Sequence, residues 1–172
     1  YFVNTGRVRT GSQIDQFASF YARTIVEKIG DQFEVLFGPA YKGIPLATAI
    51  STCLARDHGI DRGFCFDRKE AKDHGEGGSL VGAIPVDGDR VLIVEDVTTA
   101  GTSIRETVPK LLAAAEVKLA GLMISVDRRE RGTVDRAALD QLSEDLGMPC
   151  MAVVTVHDVI EYLYRREIDS RV

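Results

Sequence analysis

Residues 90–104 read Arg90-Val-Leu-Ile-Val-Glu-Asp-Val-Thr-Thr-Ala-Gly-Thr-Ser-Ile104, and the fold follows from how this stretch divides. Val91 to Val94 is an apolar run too short for a helix and rich in β-branched residues, which predicts a buried strand. Glu95 and Asp96 stand where that strand ends. The turn Thr98 to Ser103 is made of small and hydroxylated residues, and beyond it a helical pattern opens with Ile104, Val108, Leu111 and Leu112 on one face. A strand, a tight turn and a helix N-terminus form a cradle for an anion. The first-turn N–H groups lack intrahelical acceptors, and the helix dipole favours negative charge. Ala100 and Gly101 leave room for a phosphate to approach the backbone. Two carboxylates beside a phosphate repel it unless they address something else, such as sugar hydroxyls or a metal carried by the ligand. A ribose 5-phosphate meets both demands. Taken alone, Glu95-Asp96 is better read as a solvated acidic turn; the hydroxyl-rich turn attached to it reverses that balance in favour of the cradle.

Outward from this stretch, strands alternate with helices. Ser12 can cap a helix whose apolar positions Ile14, Phe17, Phe20, Tyr21 and Ile25 keep helical spacing up to Gly30. Phe33 to Phe37 reads as a strand that runs into the tight turn Gly38-Pro-Ala-Tyr-Lys-Gly43, with the helix Ile44 to Arg56 behind it. Gly63 to Phe66 is a second short strand. Downstream, Val117 to Val126 is a strand ending at Asp127-Arg128-Arg129-Glu130, Asp135 to Leu146 an amphipathic helix stopped by Gly147, Cys150 to Val156 the last strand, and Val159 to Arg166 a closing helix. Tyr162 and Tyr164 are expected to pack that helix. The alternation implies an α/β fold, a mostly parallel central sheet flanked by helices. In such a sheet ligands sit at the carboxyl ends of the strands, near the topological switch. Every unusual loop falls there: Tyr41-Lys42, Arg68 to His74, Glu95 to Ser103, and Arg128.

Asp67 to Gly82 has no apolar periodicity, and within it Arg68, Lys69, Lys72 and His74 are followed by three glycines. Most charge runs are solvated surface. A loop this long in a compact domain is instead a lid or binding loop, and its cations suit a highly charged anion such as a diphosphate.

Composition narrows the classes. With 172 residues the chain has one domain's worth of sequence, and 45% hydrophobic with 27% charged residues is ordinary for a soluble globular protein. A net charge of −5 argues against a nucleic-acid partner, and no apolar run is long enough to span a membrane. No signal peptide is visible. Cys53, Cys65 and Cys150 are isolated and odd in number, which suits reduced core residues of a cytoplasmic protein. His58 and His157 lack partners at metal-ligand spacing. The chain opens on Tyr1 without an initiator Met, so further residues are expected upstream in the natural protein.

The acidic signature resembles that of the type I phosphoribosyltransferases. Arg68-Lys-Glu-Ala-Lys-Asp-His-Gly-Glu-Gly-Gly78 is similar to the lid of the orotate phosphoribosyltransferase family, and Gly38 to Ala47 to that family's diphosphate loop. Asp127 to Glu130 falls at its base-contacting arginine. Tyr1-Phe-Val-Asn4 matches its orotate-contacting segment, with Val3 where a second aromatic is common. The likeness runs over essentially the whole chain, residues 1–172, as a single phosphoribosyltransferase domain, and adds a small hood from the N-terminal region.

The resemblance implies transfer of ribose 5-phosphate from phosphoribosyl diphosphate to orotate, with Mg2+ travelling on the donor and bound directly by no protein residue. It assigns Val97, Thr98, Thr99, Ala100, Gly101, Thr102 and Ser103 to the donor, chiefly its 5′-phosphate. Glu95 and Asp96 go to the ribose hydroxyls and to charge developing on the ring. Tyr41, Lys42 and Lys69 contact the leaving diphosphate. Arg68, Lys72 and His74 close over it from the other subunit of a homodimer, with Lys72, Asp96 and Glu95 as the catalytic set. Phe2, Val3, Thr99 and Arg128 position orotate. A phosphoribosyltransferase for another base would not call for this lid. A non-catalytic regulator binding the same donor could dispense with Lys72 and His74, and would carry a basic DNA-binding segment that is not seen here.

Overall fold

The computed structural model describes residues 7–68, 79–96, 101–129 and 137–165. In chain order these form α1 (Gly11–Lys28), β1 (Val35–Phe37), α2 (Gly43–His58), β2 (Gly63–Asp67), β3 (Leu80–Gly82), β4 (Arg90–Val94), α3 (Thr102–Ala114), β5 (Lys118–Asp127), α4 (Ala138–Leu146), β6 (Cys150–Thr155) and α5 (Val156–Arg165). The strands make one sheet in the order β3-β2-β1-β4-β5-β6, parallel throughout except for β3. The expected α/β architecture is therefore present. After β1 the chain first builds outward on one side, through β2 and β3, and then returns to lay β4 on the other side. The switch point lies between β1 and β4, whose exit loops are residues 38–43 and the turn after Glu95.

The apolar runs are continuous because both faces of the sheet are covered. Phe37, Val91 and Ile93 point to one face, where Ile104, Val108 and Leu111 of α3 and Leu139 and Leu142 of α4 pack on them. Leu36, Leu92 and Val94 point to the other, against Tyr21 and Ile25 of α1 and Leu46, Ile50 and Leu54 of α2. The N-terminal region thus contributes a helix packed on the sheet; residues 1–6, from which part of the expected hood would come, lie outside the described residues.

Several local expectations need correction. Thr10, not Ser12, caps α1, through a capping box in which its hydroxyl accepts from Gln13 N and the Gln13 side chain accepts from Thr10 N. Leu112 and Phe20 are exposed: each sits at the edge of its helical stripe, outside the arc the sheet can cover. Phe20 instead lies under the Arg23 guanidinium, 4.9 Å from the ring centre. The segment Asp67 to Gly82 is not structureless at its ends. Asp67 closes β2, and Leu80–Gly82 returns antiparallel to it, pairing Asp67 with Leu80. Tyr162 and Tyr164 do not pack α5; they are exposed, together with Val159, Ile160 and Leu163. Cys150 is only half-buried, whereas Cys53 and Cys65 are core residues, and all three thiols are free.

Candidate functional site

The short parallel strands β1 and β4 end side by side, so the loops leaving them face each other across the switch point. On the β4 side, Glu95 and Asp96 are both buried, although they lie at a strand end. A set of hydrogen bonds holds them there. The Glu95 backbone N–H donates to Met123 O at 3.0 Å. The buried Tyr21 hydroxyl donates to Glu95 O at 2.7 Å. Ser125 reaches Asp96 O twice, through its backbone N–H at 2.8 Å and through its hydroxyl. The Asp96 N–H donates to Glu95 Oε1 at 3.0 Å, and the Ser103 hydroxyl donates to Glu95 Oε2 at 3.1 Å. With every main-chain group occupied, the two carboxylates are fixed in direction, which an ordinary solvated turn would not require.

Burial has electrostatic consequences. It pushes the Glu95 carboxyl up to about 7, and the neighbouring Asp96 charge adds to the rise. Burial likewise holds the Tyr21 hydroxyl well above its usual range, so it remains a neutral donor. Asp96 is the member with a cationic partner: Lys42 Nζ lies 3.1 Å from its Oδ2. That lysine side chain is 71% exposed, so its ammonium is held lightly and can be drawn to an incoming anion.

Across the switch point, loop 38–43 turns from β1 into α2. Gly38 and Gly43 touch so closely that a Cβ on Gly38 would lie 2.1 Å from Gly43 O, so no larger residue fits. Gly38 N–H donates to Cys65 O at 3.0 Å, and Ala40 N–H to Asp67 Oδ1 at 2.7 Å. The Ala40–Tyr41 peptide is cis, and Tyr41 is exposed.

The N-cap of α3 is Gly101, in the left-handed region at φ 68°. It supplies no side-chain acceptor to the first-turn amides, which suits an anion there. Thr102 is exposed and Ser103 half-buried in that first turn. An apolar hollow of about 150 Å³ opens beside the acids, lined by Val8, Ile14, Phe17, Lys42, Pro45, Leu46 and Asp96.

Of the residues singled out from sequence, Lys42 and Asp96 meet in an ion pair and line the hollow, Ser103 meets Glu95, Tyr41 precedes Lys42 in loop 38–43, and Gly101 and Thr102 open α3. Arg68 leaves the end of β2, with its N–H donating to Ser79 O at 2.8 Å, and half-buried Arg128 leaves the end of β5. Phe2, Val3, Lys69, Lys72, His74, Val97, Thr98, Thr99 and Ala100 lie outside the described residues. Sequence reasoning missed Tyr21 and Ser125, which orient the acid pair, and the hollow beside it. Tyr21 was legible only as one more apolar position on α1, because its hydroxyl meets a partner 74 residues away.

A family model described as the phosphoribosyl transferase domain matches residues 8–160. The orotate phosphoribosyltransferase of Clostridium acetobutylicum is 51% identical over 172 residues, spanning 100% of this chain and 77% of that protein. That of Clostridium beijerinckii is 52% identical with the same coverage. The crystal structure of orotate phosphoribosyltransferase from Francisella tularensis superposes with a TM-score of 0.84 at 39% identity, over 96% of this chain and 77% of that one.

Proposed function

We propose what each part of the crevice does, given that the chain belongs to the phosphoribosyl transferase domain family. It is an orotate phosphoribosyltransferase, which moves ribose 5-phosphate from 5-phosphoribosyl 1-diphosphate to orotate and yields orotidine 5′-phosphate and diphosphate in pyrimidine biosynthesis. The observation that carries the assignment of roles is the buried acid pair, fixed by Tyr21 and Ser125 between an α-helix N-terminus and a glycine-clamped loop.

Residues 97–103 hold the 5′-phosphate, through first-turn amides of α3 and the hydroxyls of Thr98, Thr99, Thr102 and Ser103. Glu95 and Asp96 accept hydrogen bonds from the ribose hydroxyls. As the bond to diphosphate breaks, positive charge grows on the ring, and these carboxylates stabilise it from a site that needs no reorganisation. Lys42 exchanges Asp96 for the diphosphate, beside Tyr41 and Lys69. Arg68, Lys72 and His74 close the crevice to water from the other subunit of a homodimer, so that the anionic leaving group meets the lid's cations only when the site is shut. Phe2, Val3, Thr99 and Arg128 position orotate, and the apolar hollow beside Asp96 gives its ring a place to lie.

Mg2+ suits this set. Mg2+ is commonly held by substrate phosphates with one or two carboxylates near it, and Glu95 and Asp96 are such a pair. We therefore assign the ion to the donor's own oxygens, with Glu95 and Asp96 as the nearest carboxylates; when bound it neutralises charge on the diphosphate. Residues 1–172 are taken to act as one domain. A cytoplasmic setting is supported by the three free thiols, and no described helix is long and apolar enough to cross a membrane.

The direct test is the fall in orotate's ultraviolet absorbance when phosphoribosyl diphosphate and Mg2+ are added. Loss of signal with orotate and none with uracil or a purine supports the assignment. No change with orotate, in protein that binds the donor, refutes it.

A further inference from the structure

The geometry points to Asp67, backed by Lys110, as a positioning residue for the leaving diphosphate, a role that rests on reading loop 38–43 as the diphosphate loop. Asp67 is a charged residue only 3% exposed, at the last position of β2. One carboxylate oxygen accepts the Ala40 N–H at 2.7 Å, in the middle of that loop; the other takes Lys110 Nζ of α3 at 2.5 Å. A buried carboxylate is costly unless both oxygens are matched, and here they are. The bond to Ala40 fixes the plane of one peptide, and so the directions in which the neighbouring loop amides point. The adjacent bond from Gly38 N–H to Cys65 O ties the loop to the same strand.

Loop 38–43 is thus held from both neighbours of β1: from β2 through Asp67 and the backbone, and from β4 through Asp96 and Lys42. The two acids differ in kind. Asp96 holds an exposed lysine that can leave, whereas Asp67 holds a backbone amide that stays. Lys110 also has an electrostatic task, because an unmatched carboxylate beside a diphosphate site would repel the ligand. Asp67 further adjoins Arg68, whose N–H meets Ser79 O, so the residue that sets the loop also sits at the stem of segment 69–78.

Steady-state kinetics in both directions test this, with Lys42→Ala as the control for the loop itself. Asp67→Ala should raise KM for diphosphate in the reverse reaction roughly tenfold while KM for orotate stays within about twofold. The neutral pair Asp67→Asn with Lys110→Gln keeps an acceptor for Ala40 without a bare charge, and should return to within about threefold of wild type. A merely structural role would lower the active fraction and leave both KM values unchanged, which overturns the proposal. If Asp67→Ala does not fold, Lys110→Met leaves the Ala40 contact but bares the carboxylate, and it too should raise the diphosphate KM; an unchanged value overturns the proposal. A rise for Lys42→Ala without one for Asp67→Ala defeats this inference alone. No rise for either defeats the reading of the loop as well.

Discussion

Replacing Glu95 by Gln isolates the energy stored in the acid pair. The carboxyl titrates near 4.5 when unperturbed and is pushed up to about 7 in the folded chain, mainly by burial and then by Asp96. A raised carboxyl pKa means that the folded state holds the proton more tightly than the unfolded state. Its stabilising share is full below the unfolded value, is lost as pH rises toward the folded value, and is flat above it. Integrating this difference, the wild type should lose roughly 2–3 kcal/mol relative to Glu95→Gln between about pH 5 and pH 8.5, most of it below about pH 7. The amide also disturbs the bonds from Asp96 N–H and the Ser103 hydroxyl, because one of its ends is a donor. That cost does not vary with pH, so it offsets the curve without changing its shape. Urea unfolding followed by far-ultraviolet circular dichroism, at fixed protein concentration across the pH range, measures both proteins. A stability difference constant to within about 0.5 kcal/mol over that range would refute the reasoning, since Glu95 would then be ionised throughout in the folded chain. Activity should move the opposite way in wild type, rising with pH through neutrality as the carboxylate forms, and Glu95→Gln should be slow at every pH.

Tyr21→Phe removes the hydroxyl that donates to Glu95 O; thermal or urea unfolding should show a loss of about 1–3 kcal/mol from the buried, unmatched carbonyl, with kcat lowered because the acids are no longer aimed. Gly101→Val should be worse for folding than for chemistry alone, since a Cβ would lie 2.7 Å from Leu142 Cδ1 at a backbone φ of 68°; normal yield and melting temperature would contradict the close approach. On the proposal that Lys72 acts chiefly from a closed lid, Lys72→Ala should lower turnover by orders of magnitude while donor binding, followed by titration, changes little; turnover within a few-fold of wild type would make it a surface residue. Mixing Lys72→Ala subunits with Glu95→Ala/Asp96→Ala subunits should restore roughly a quarter of wild-type activity per subunit if lids serve the opposite crevice, and verified mixed dimers without recovery would argue that each lid serves its own.

Most of the elements were legible from the chain alone. Val91 to Val94 could be read as a two-sided buried strand because its β-branched run leaves no polar face, and Ile104, Val108 and Leu111 beyond the turn as the buried stripe of a helix. These signals are local: they depend on residues within one or two turns of each other. The return strand Leu80–Gly82 was invisible by the same logic. It is three residues long beside a glycine-rich stretch, and pairing with β2 rather than any periodicity of its own makes it a strand. Tertiary structure alone decided which groups meet at the crevice. Tyr21 reaches Glu95 across 74 positions and Lys110 reaches Asp67 across 43, and neither side chain carries a local mark of its partner. The strand order is equally non-local, because placing β4 beside β1 rather than beside β3 depends on how two helical layers cover both faces at once. A motif could therefore place two acids at the end of a strand and a helix just beyond them. Only the packed sheet could bury those acids and raise the affinity of Glu95 for its proton.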